Sequence, residues 1–475
     1  MKNLLVDLTQ SGTLNKIWNF GVNTCHAPLW LRNDLQQHMK TLRRDCGFQY
    51  VRFHSVLNDD MQTVMPDGSF NFTSALEVYR NIIELGMTPF VEISSMPSAL
   101  ASNDEYVCEY KFRSAPPADW MRWKKLITSF INAVTDEFGK EEVKKWYFEV
   151  WNEPDIPFWS GSKEEYFKLY DITRSAVKSV CREYKVGGPA TSKTAWIKDF
   201  CIHASSPSEF DNDNTIRCDF VSSHAYPSDL AFLDGAEGEV ELLEADLLLE
   251  LCSAARRTID EILGKEIPFI FGEWNSSAGP YAFNHDDCNN APFIIKTMAE
   301  LSDVVQASMY WNATDIYEES KFHYTPFHGC YGLLNVNDIP KSSFHAFRLL
   351  NQLSGERVKC SFEGEKSSEH GSIAAIDGNT LKIIVWNYRQ PGSDGENLIF
   401  NLCGLPEKIT IKGEFILPGK GSAYETWREL GSPDYLNRKF FDALEKASLP
   451  ELKNFSSSKN MELPPGTAAM FTCLI

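Results

Sequence analysis

The sequence predicts an α/β fold: a (β/α)8 TIM barrel followed by a C-terminal β-sandwich accessory domain. Short apolar segments recur eight times over the first two thirds of the chain, and amphipathic helical patterns lie between most of them. This alternation favours a parallel sheet covered by helices, and eight repeats are the number that closes a barrel. A doubly wound open sheet is the competing arrangement.

The predicted strands are short, apolar and bounded by polar residues, and the segments between them have helical periodicity. In residues 31–47, for example, apolar side chains are spaced by three or four positions, and Gly47 follows as a stop signal. The eight predicted strands are WNFGVN (18–23), FQYVRFH (48–54), MTPFVEIS (87–94), KWYFEVWNE (145–153), KVGGP (185–189), CDFVSSHAY (218–226), IPFIFGEWN (267–275) and VVQASMYW (304–311).

The C-terminal part has a different pattern. From about residue 355, segments such as SIAAIDGNTLKIIVWNYR alternate around Gly, Asn and Asp, which is typical of antiparallel hairpins. We therefore predict a barrel at 14–354 and a β-sandwich formed by 1–13 plus 355–475. A helical insertion near 421–448 is expected to interrupt the sandwich.

Charge and cysteine usage restrict the partners and the compartment. The chain has 65 acidic and 46 basic residues, a formal charge of −19, which disfavours nucleic acid and anionic membrane surfaces as partners. The N-terminus lacks the apolar run of a signal peptide, and no segment is apolar enough to cross a bilayer. Twelve scattered cysteines without a CxxC pair indicate reduced core residues, so we expect a cytoplasmic protein.

Polar residues stand where the predicted strands end, which in a barrel is the face that carries the active site. Each of them alone could be a structural group, but eight strands bring them to one face. These strand-end residues are Asn23, His54, Glu92, Asn152, Glu153, His224, Tyr226, Glu273 and Trp311.

Two of these carboxylates, Glu153 after the fourth strand and Glu273 after the seventh, are expected to face each other across the barrel mouth. Hydrolysis of a glycosidic bond needs such a pair, one group on each face of the sugar. A separation of about 5 to 5.5 Å would make one of them a nucleophile and retain the anomeric configuration. Pro154 disfavours the helical conformation at Glu153, so we expect that residue to be extended or in a turn.

The motifs around these carboxylates have a familiar form. WNEPD at 151–155 and FGEWN at 271–275 resemble the acid/base and nucleophile motifs of clan A glycoside hydrolases. Further segments resemble, in the same order, those of glycoside hydrolase family 39, the β-xylosidase and α-L-iduronidase family. They are YVRFHSVLNDDM (50–61), GMTPFVEISSMPSALAS (86–102), HAYP (224–227), YWNATDIYEE (310–319) and FHGCYGLLNVNDIPKSSFHAFRLL (327–350). The resemblance covers essentially the whole chain.

This resemblance implies roles for individual residues. Glu153 would be the general acid/base, Glu273 the nucleophile, and Asn152 the contact to the sugar 2-hydroxyl. Burial among aromatic neighbours would raise the pKa of Glu153. The residues implied to line the subsite of the non-reducing sugar are His54, His224, Tyr226, Trp311 and Glu319, the last being favoured over Glu318. No HxH or HExxH motif occurs, so we expect neither a metal nor a cofactor.

The expected activity is that of a retaining, exo-acting β-xylosidase that releases xylose from short xylo-oligosaccharides. Alternatives within the family are β-glucosidase, β-galactosidase, α-L-arabinosidase and α-L-iduronidase, and Lys321 lies close enough in sequence to keep uronate recognition open. A catalytically inactive carbohydrate-binding barrel and an open-sheet oxidoreductase are the alternatives of other classes. The oxidoreductase needs a GxGxxG motif after the first strand, and none follows Asn23. Aromatic loop residues leave room for a homo-oligomeric interface.

Overall fold

The computed structural model describes residues 1–210, 216–228, 242–244, 246–364, 366–406 and 409–475. Its strands are β1 (Lys2–Gly12), β2 (Gly21–His26), β3 (Tyr50–His54), β4 (Thr88–Ile93), β5 (Tyr106–Val107), β6 (Phe112–Arg113), β7 (Tyr147–Val150), β8 (Lys185–Thr191), β9 (Phe220–Ala225), β10 (Phe269–Trp274), β11 (Ala307–Tyr310), β12 (Glu356–Phe362), β13 (His370–Asp377), β14 (Thr380–Asn387), β15 (Leu398–Cys403), β16 (Ile411–Pro418), β17 (Gly421–Ser422), β18 (Glu451–Phe455), β19 (Met461–Leu463) and β20 (Thr467–Leu474).

Nine helices lie between or after the barrel strands, and two more lie in the C-terminal part of the described chain. They are α1 (Asn33–Cys46), α2 (Thr73–Glu84), α3 (Trp120–Phe138), α4 (Lys140–Val143), α5 (Lys163–Val180), α6 (Ile197–Ala204), α7 (Asp246–Ile262), α8 (Asn290–Leu301), α9 (Ser342–Asn351), α10 (Tyr424–Glu429) and α11 (Arg438–Ala447). Within the described ranges, no helix combines the length and the hydrophobicity needed to cross a bilayer.

Eight parallel strands close into a barrel in the order β10-β11-β2-β3-β4-β7-β8-β9. Each of the eight predicted segments overlaps one of these strands, so the barrel is confirmed and the open doubly wound sheet is wrong. Six of the strands lie within their predicted segments, while β2 and β8 continue beyond them, to His26 and Thr191.

Local sequence signals fix where the helices begin and end. Asp119 accepts hydrogen bonds from the backbone N–H groups of Met121 and Arg122 at the start of α3. Ser162 and Glu165 form a reciprocal capping box at the start of α5. At the end of α1 the predicted stop, Gly47, adopts φ 75°, a left-handed conformation that glycine accepts without steric cost.

The two ends of the barrel interior differ in character. Tyr50, Tyr147 and Phe220, each the first residue of its strand, pack with Phe20 and Phe90 and fill the amino-terminal end with aromatic rings. Charged side chains stand two residues beyond Tyr50, Phe90 and Tyr147, at Arg52 in β3, Glu92 in β4 and Glu149 in β7. The polar face therefore lies at the carboxyl ends of the strands, as the sequence predicts.

Ten further strands form a second sheet, whose main path is β17-β16-β20-β14-β13-β12-β1-β15-β19, with β18 paired to β16, while β5 and β6 form a separate two-stranded sheet. β1 pairs antiparallel with β12 and parallel with β15. The rings of Phe400 in β15 and Phe471 in β20 lie 5.9 Å apart although four strands separate them in the sheet, so the sheet folds over on itself around an apolar core. Helices α10 and α11 lie in the region where the insertion is expected, while the exact domain limits stay a prediction.

Candidate active site

A pocket opens at the carboxyl end of the barrel, where the sequence places the candidate residues. It contains seven of the eight predicted catalytic and sugar-contacting side chains. Its lining residues are His54, Asn152, Glu153, Ile156, Phe158, Ser192, Lys193, Tyr226, Glu273, Ala278, Trp311, Glu319 and Tyr331.

Glu153 and Glu273 approach each other across this pocket. A carboxylate oxygen of each and a ring nitrogen of His224 all lie within 4.8 Å of one another. Only 8% of Glu153 and 6% of Glu273 is exposed to solvent. Two carboxyl groups this close and this buried cannot both ionise without a large electrostatic cost, so the arrangement favours one protonated and one charged group.

The backbone at Glu153 adopts the second of the two predicted conformations, a turn. Glu153 has φ 40°, in the left-handed region that non-glycine residues rarely adopt. Its N–H donates to the carbonyl of Ala190 at 2.9 Å, and its own carbonyl accepts from Ile156 at 3.2 Å, which begins a turn. Such a conformation costs about 1–3 kcal/mol and persists where the surroundings impose it, often at functional sites.

Arg52 connects the two sides of the site, and the motif-based reasoning missed it. This fully buried guanidinium donates from Nε to Glu149 at 2.7 Å, from Nη1 to Glu273 at 3.1 Å and from Nη2 to Asn152 at 2.9 Å. It therefore orients Glu273 and Asn152, the residue that precedes Glu153. A charge in the middle of the apolar strand YVRFH is the signal that could have identified it, because a buried charge needs partners.

His54 and Glu319 form a second pair inside the pocket. His54 Nδ1 lies 2.5 Å from Glu92 Oε2, and its Nε2 lies 3.4 Å from Glu319 Oε1. Although burial alone would lower it, these two carboxylates raise the pKa of His54. Burial raises the pKa of Glu319 to about 7, against the opposing effects of His54 and of the Tyr317 hydroxyl, which donates to Glu319 Oε2 at 2.8 Å. The pair thus offers both donors and acceptors to a sugar.

His224 occupies a different place from the one predicted. The sequence predicts it among the residues that contact the sugar, but the structure places it fully buried behind Glu153 and outside the set that lines the pocket. Its Nδ1 lies 3.0 Å from Glu153 Oε1. Burial, Arg52 and His54 hold the pKa of His224 well below its ordinary value, so the ring is neutral and positions Glu153 through one hydrogen bond.

The two facing carboxyl groups have opposite environments. Burial, reinforced by the charge of Glu273, raises the pKa of Glu153 well above its ordinary value. Glu273 instead accepts hydrogen bonds from the Tyr226 hydroxyl at 2.7 Å and from Arg52 at 3.1 Å, which stabilise a carboxylate. Glu153, with its raised pKa, thus faces a carboxyl group held by two hydrogen-bond donors, an arrangement that suits acid-assisted displacement.

The loop after β11 places the adjacent residues Glu318 and Glu319, between which the sequence gave only a slight preference, in different surroundings. Glu319 lines the pocket, whereas Glu318 is half-buried outside it, 3.5 Å from Arg32. Lys321 is exposed and does not line the pocket. The motif-based reasoning also missed Lys193, which does line it and belongs to the loop after β8.

Glu153, His224 and Glu273 are, within the described part of the chain, the one group of side chains whose atoms are close enough to share a metal ion. Glu273 already binds the Arg52 guanidinium and the Tyr226 hydroxyl. A metal ion here would have to compete with a buried cation for the same carboxylate, which makes the group better suited to proton transfer than to metal binding.

Comparison with known proteins places this site in a family. A sequence model for Glycosyl hydrolases family 39 matches residues 2–461. A protein of Caldicellulosiruptor saccharolyticus named beta-xylosidase is 39% identical over 93% of this chain and 90% of its own length. A beta-xylosidase of Geobacillus stearothermophilus is 33% identical over 91% of this chain and 86% of its own. A crystal structure described as a monomeric beta-xylosidase from Caulobacter crescentus CB15 superposes with a TM-score of 0.87 at 27% identity, covering 100% of this chain and 99% of that one. The chain belongs to family 39 of the glycosyl hydrolases.

Proposed function

We propose that this enzyme is a retaining, exo-acting β-xylosidase that releases xylose from the non-reducing end of short xylo-oligosaccharides. The retaining mechanism is supported by the approach of Glu153 and Glu273, because a carboxylate oxygen of one lies within 4.8 Å of a carboxylate oxygen of the other. Retaining glycosidases hold their carboxyl groups about 5–5.5 Å apart, whereas inverting enzymes leave room for a water molecule at about 6.5–9.5 Å. The names of the two curated relatives support xylose as the sugar.

In the proposed first step, Glu273 attacks the anomeric carbon while protonated Glu153 donates its proton to the departing oxygen. This produces a glycosyl ester on Glu273 and leaves Glu153 ionised. Arg52 holds Glu273 and Asn152 in place, so the nucleophile and the proposed contact to the 2-hydroxyl share one support.

In the second step, ionised Glu153 takes a proton from a water molecule, which attacks the same anomeric carbon and breaks the ester. The sugar leaves with its original configuration because two inversions have occurred. His224 keeps Glu153 oriented through both steps by a hydrogen bond, and it adds no positive charge beside Glu153 because its ring is neutral.

We also propose a cytoplasmic location, which is supported by the state of the cysteines. All twelve are free, and most are buried in apolar surroundings. Proteins of oxidising compartments more often use cysteines in disulfides.

Initial rates on p-nitrophenyl glycosides, together with product analysis on xylotriose, test the proposed activity. We expect the β-xyloside to be the best substrate of a panel with β-glucoside, β-galactoside, α-L-arabinoside and α-L-iduronide. Xylotriose is expected to release xylose and xylobiose as the first products. A higher kcat/KM on another member of the panel would replace xylose as the preferred sugar, and release of larger aryl fragments from aryl xylobiosides would contradict exo action.

The pH dependence of kcat/KM tests the assignment of Glu153. Because burial raises its pKa, Glu153 stays protonated to a higher pH than an ordinary glutamate, and activity is expected to fall as the pH rises through that raised value. Residual activity of Glu153→Gln on an activated aryl xyloside should lack this alkaline limb. Glu319→Gln is the control, since burial raises the pKa of Glu319 to about 7. This variant should keep an alkaline limb, moved to lower pH because the charge of Glu319 helps to raise the pKa of Glu153, whereas loss of the limb would identify Glu319 as the acid.

A further inference from the structure

The two sides of the pocket serve different parts of a substrate. His54, Trp311 and Glu319 come from β3 and from the loop after β11, whose strands lie next to β2 on one side of the barrel. Ser192 and Lys193 come from the loop after β8, beside the loop of Glu153. On the proposed mechanism, on which this inference rests, Glu153 gives its proton to the leaving group, so the β7–β8 side faces that group.

The loop that carries Lys193 is tied to the loop of the acid. The Asp155 carboxylate, two residues after Glu153, accepts from the backbone N–H of Ser192 at 2.9 Å and from its hydroxyl at 2.6 Å. The N–H of Glu153 donates to the carbonyl of Ala190, near the end of β8 and just before that loop. Lys193 is therefore held at a fixed position relative to the acid.

The backbone of this loop is unusual as well. Lys193 has φ 45° and ψ 35°, and Ala190 and Thr194 have φ 54° and 55°. Left-handed conformations at non-glycine residues are sparsely populated and concentrate at ligand sites, where the surrounding structure imposes them. The conformation places a lysine, rather than a small turn residue, on the wall of the active-site pocket.

The ammonium group of Lys193 is also without a charged partner in the part of the chain that the structure describes. Nearby Lys163 pairs with Asp199 at 2.7 Å, but no salt bridge or hydrogen bond there involves the Lys193 side chain. Among the described residues, the other ionisable side chains that line the pocket are Glu153, Glu273 and Glu319, and His54, which lies on the opposite side with its raised pKa. Lys193 is thus the basic side chain on the leaving-group side of a mostly acidic wall.

We propose that Lys193 is a specificity residue that binds a carboxylate on the leaving group, so that the enzyme favours glycosides whose departing part is acidic. Such a leaving group could be an acidic sugar or an aromatic acid, since both present the same carboxylate to the ammonium group. The partly buried position of Lys193 limits solvent screening of this contact, while salt would still weaken it.

Matched substrates that differ in one charge test this proposal. We would measure kcat/KM for 4-carboxyphenyl and 4-carbamoylphenyl β-xyloside, and for xylobionate and xylobiitol, with wild type, Lys193→Gln and the control Lys198→Gln, which changes an exposed lysine of the following helix α6. The expected result is that the ratio of acidic to neutral substrate falls about fivefold in Lys193→Gln, is unchanged in Lys198→Gln and decreases with salt.

The two substrate pairs separate the sources of the carboxylate. A change confined to the aryl pair would indicate aromatic acids, and a change confined to the sugar pair would indicate acidic oligosaccharides. Equal ratios in wild type and Lys193→Gln for both pairs would overturn the proposal. Failure of the wild type to cleave any of the four xylosides would instead contradict the proposed β-xylosidase activity itself.

Discussion

Replacing Glu273 by Gln is expected to lower kcat on every β-xyloside by at least about 10⁴-fold, because the variant cannot form the glycosyl ester. Glu153→Gln should behave differently. Its kcat/KM is expected to fall about 10²–10⁴-fold on xylobiose, because the leaving oxygen of xylobiose needs a proton. On an activated aryl xyloside, whose leaving group departs without one, kcat/KM should fall much less. Steady-state rates of both variants on the two substrates measure the difference.

The contrast between the variants matters more than either loss alone. Both replacements keep the size of the side chain, so the circular dichroism spectra should match that of the wild type and show that the variants are folded. Equal losses on xylobiose and on the activated substrate in Glu153→Gln would contradict its role as acid, and substantial activity in Glu273→Gln would contradict its role as nucleophile.

Replacing Arg52 by Met is expected to destabilise the barrel by about 3–5 kcal/mol, the usual cost of removing one partner from a buried ionic cluster. Arg52 is fully buried, and its loss would leave Glu92, Glu149 and Glu273 without their common cation. The free energy of unfolding, from urea denaturation followed by tryptophan fluorescence, measures the effect.

Arg52→Lys is the matched control for this prediction. It keeps the positive charge but cannot reach several acceptors at once, so its loss of stability should be smaller while kcat still falls. An Arg52→Met protein as stable as the wild type would contradict this prediction. It would show that the cost of desolvating the guanidinium cancels its attraction to the three carboxylates.

The barrel could be predicted from sequence because its signals are local and repeated. Each strand is a short apolar segment, and a polar residue such as His54 or Glu273 marks its end, so the topology follows from the count and the order. The sandwich was predictable only as a set of hairpins. Nothing in LLVDLTQ shows that β1 lies between β12 and β15, parallel to one and antiparallel to the other, because that pairing joins the two ends of the chain.

The two carboxylates of the site could be predicted because their motifs and their strand positions agree. The network behind them could not. Arg52 is one charged residue in an apolar strand, and only the closed barrel brings it to Glu149 and Glu273 at once. For His224 the sequence predicts more than the structure shows. Its place at a strand end predicts a contact to the sugar, but its ring hydrogen-bonds to Glu153 and does not line the pocket.

The covalent intermediate gives the most direct test of the central claim, that Glu273 attacks the sugar while Glu153 serves as acid and base. We would incubate the wild-type enzyme with 2-deoxy-2-fluoro-β-xylosyl fluoride and identify the labelled peptide by mass spectrometry. We expect a stable ester on Glu273, in the segment FGEWN. A label on another residue, or an unlabelled enzyme that hydrolyses β-xylosides with inverted configuration, would contradict it.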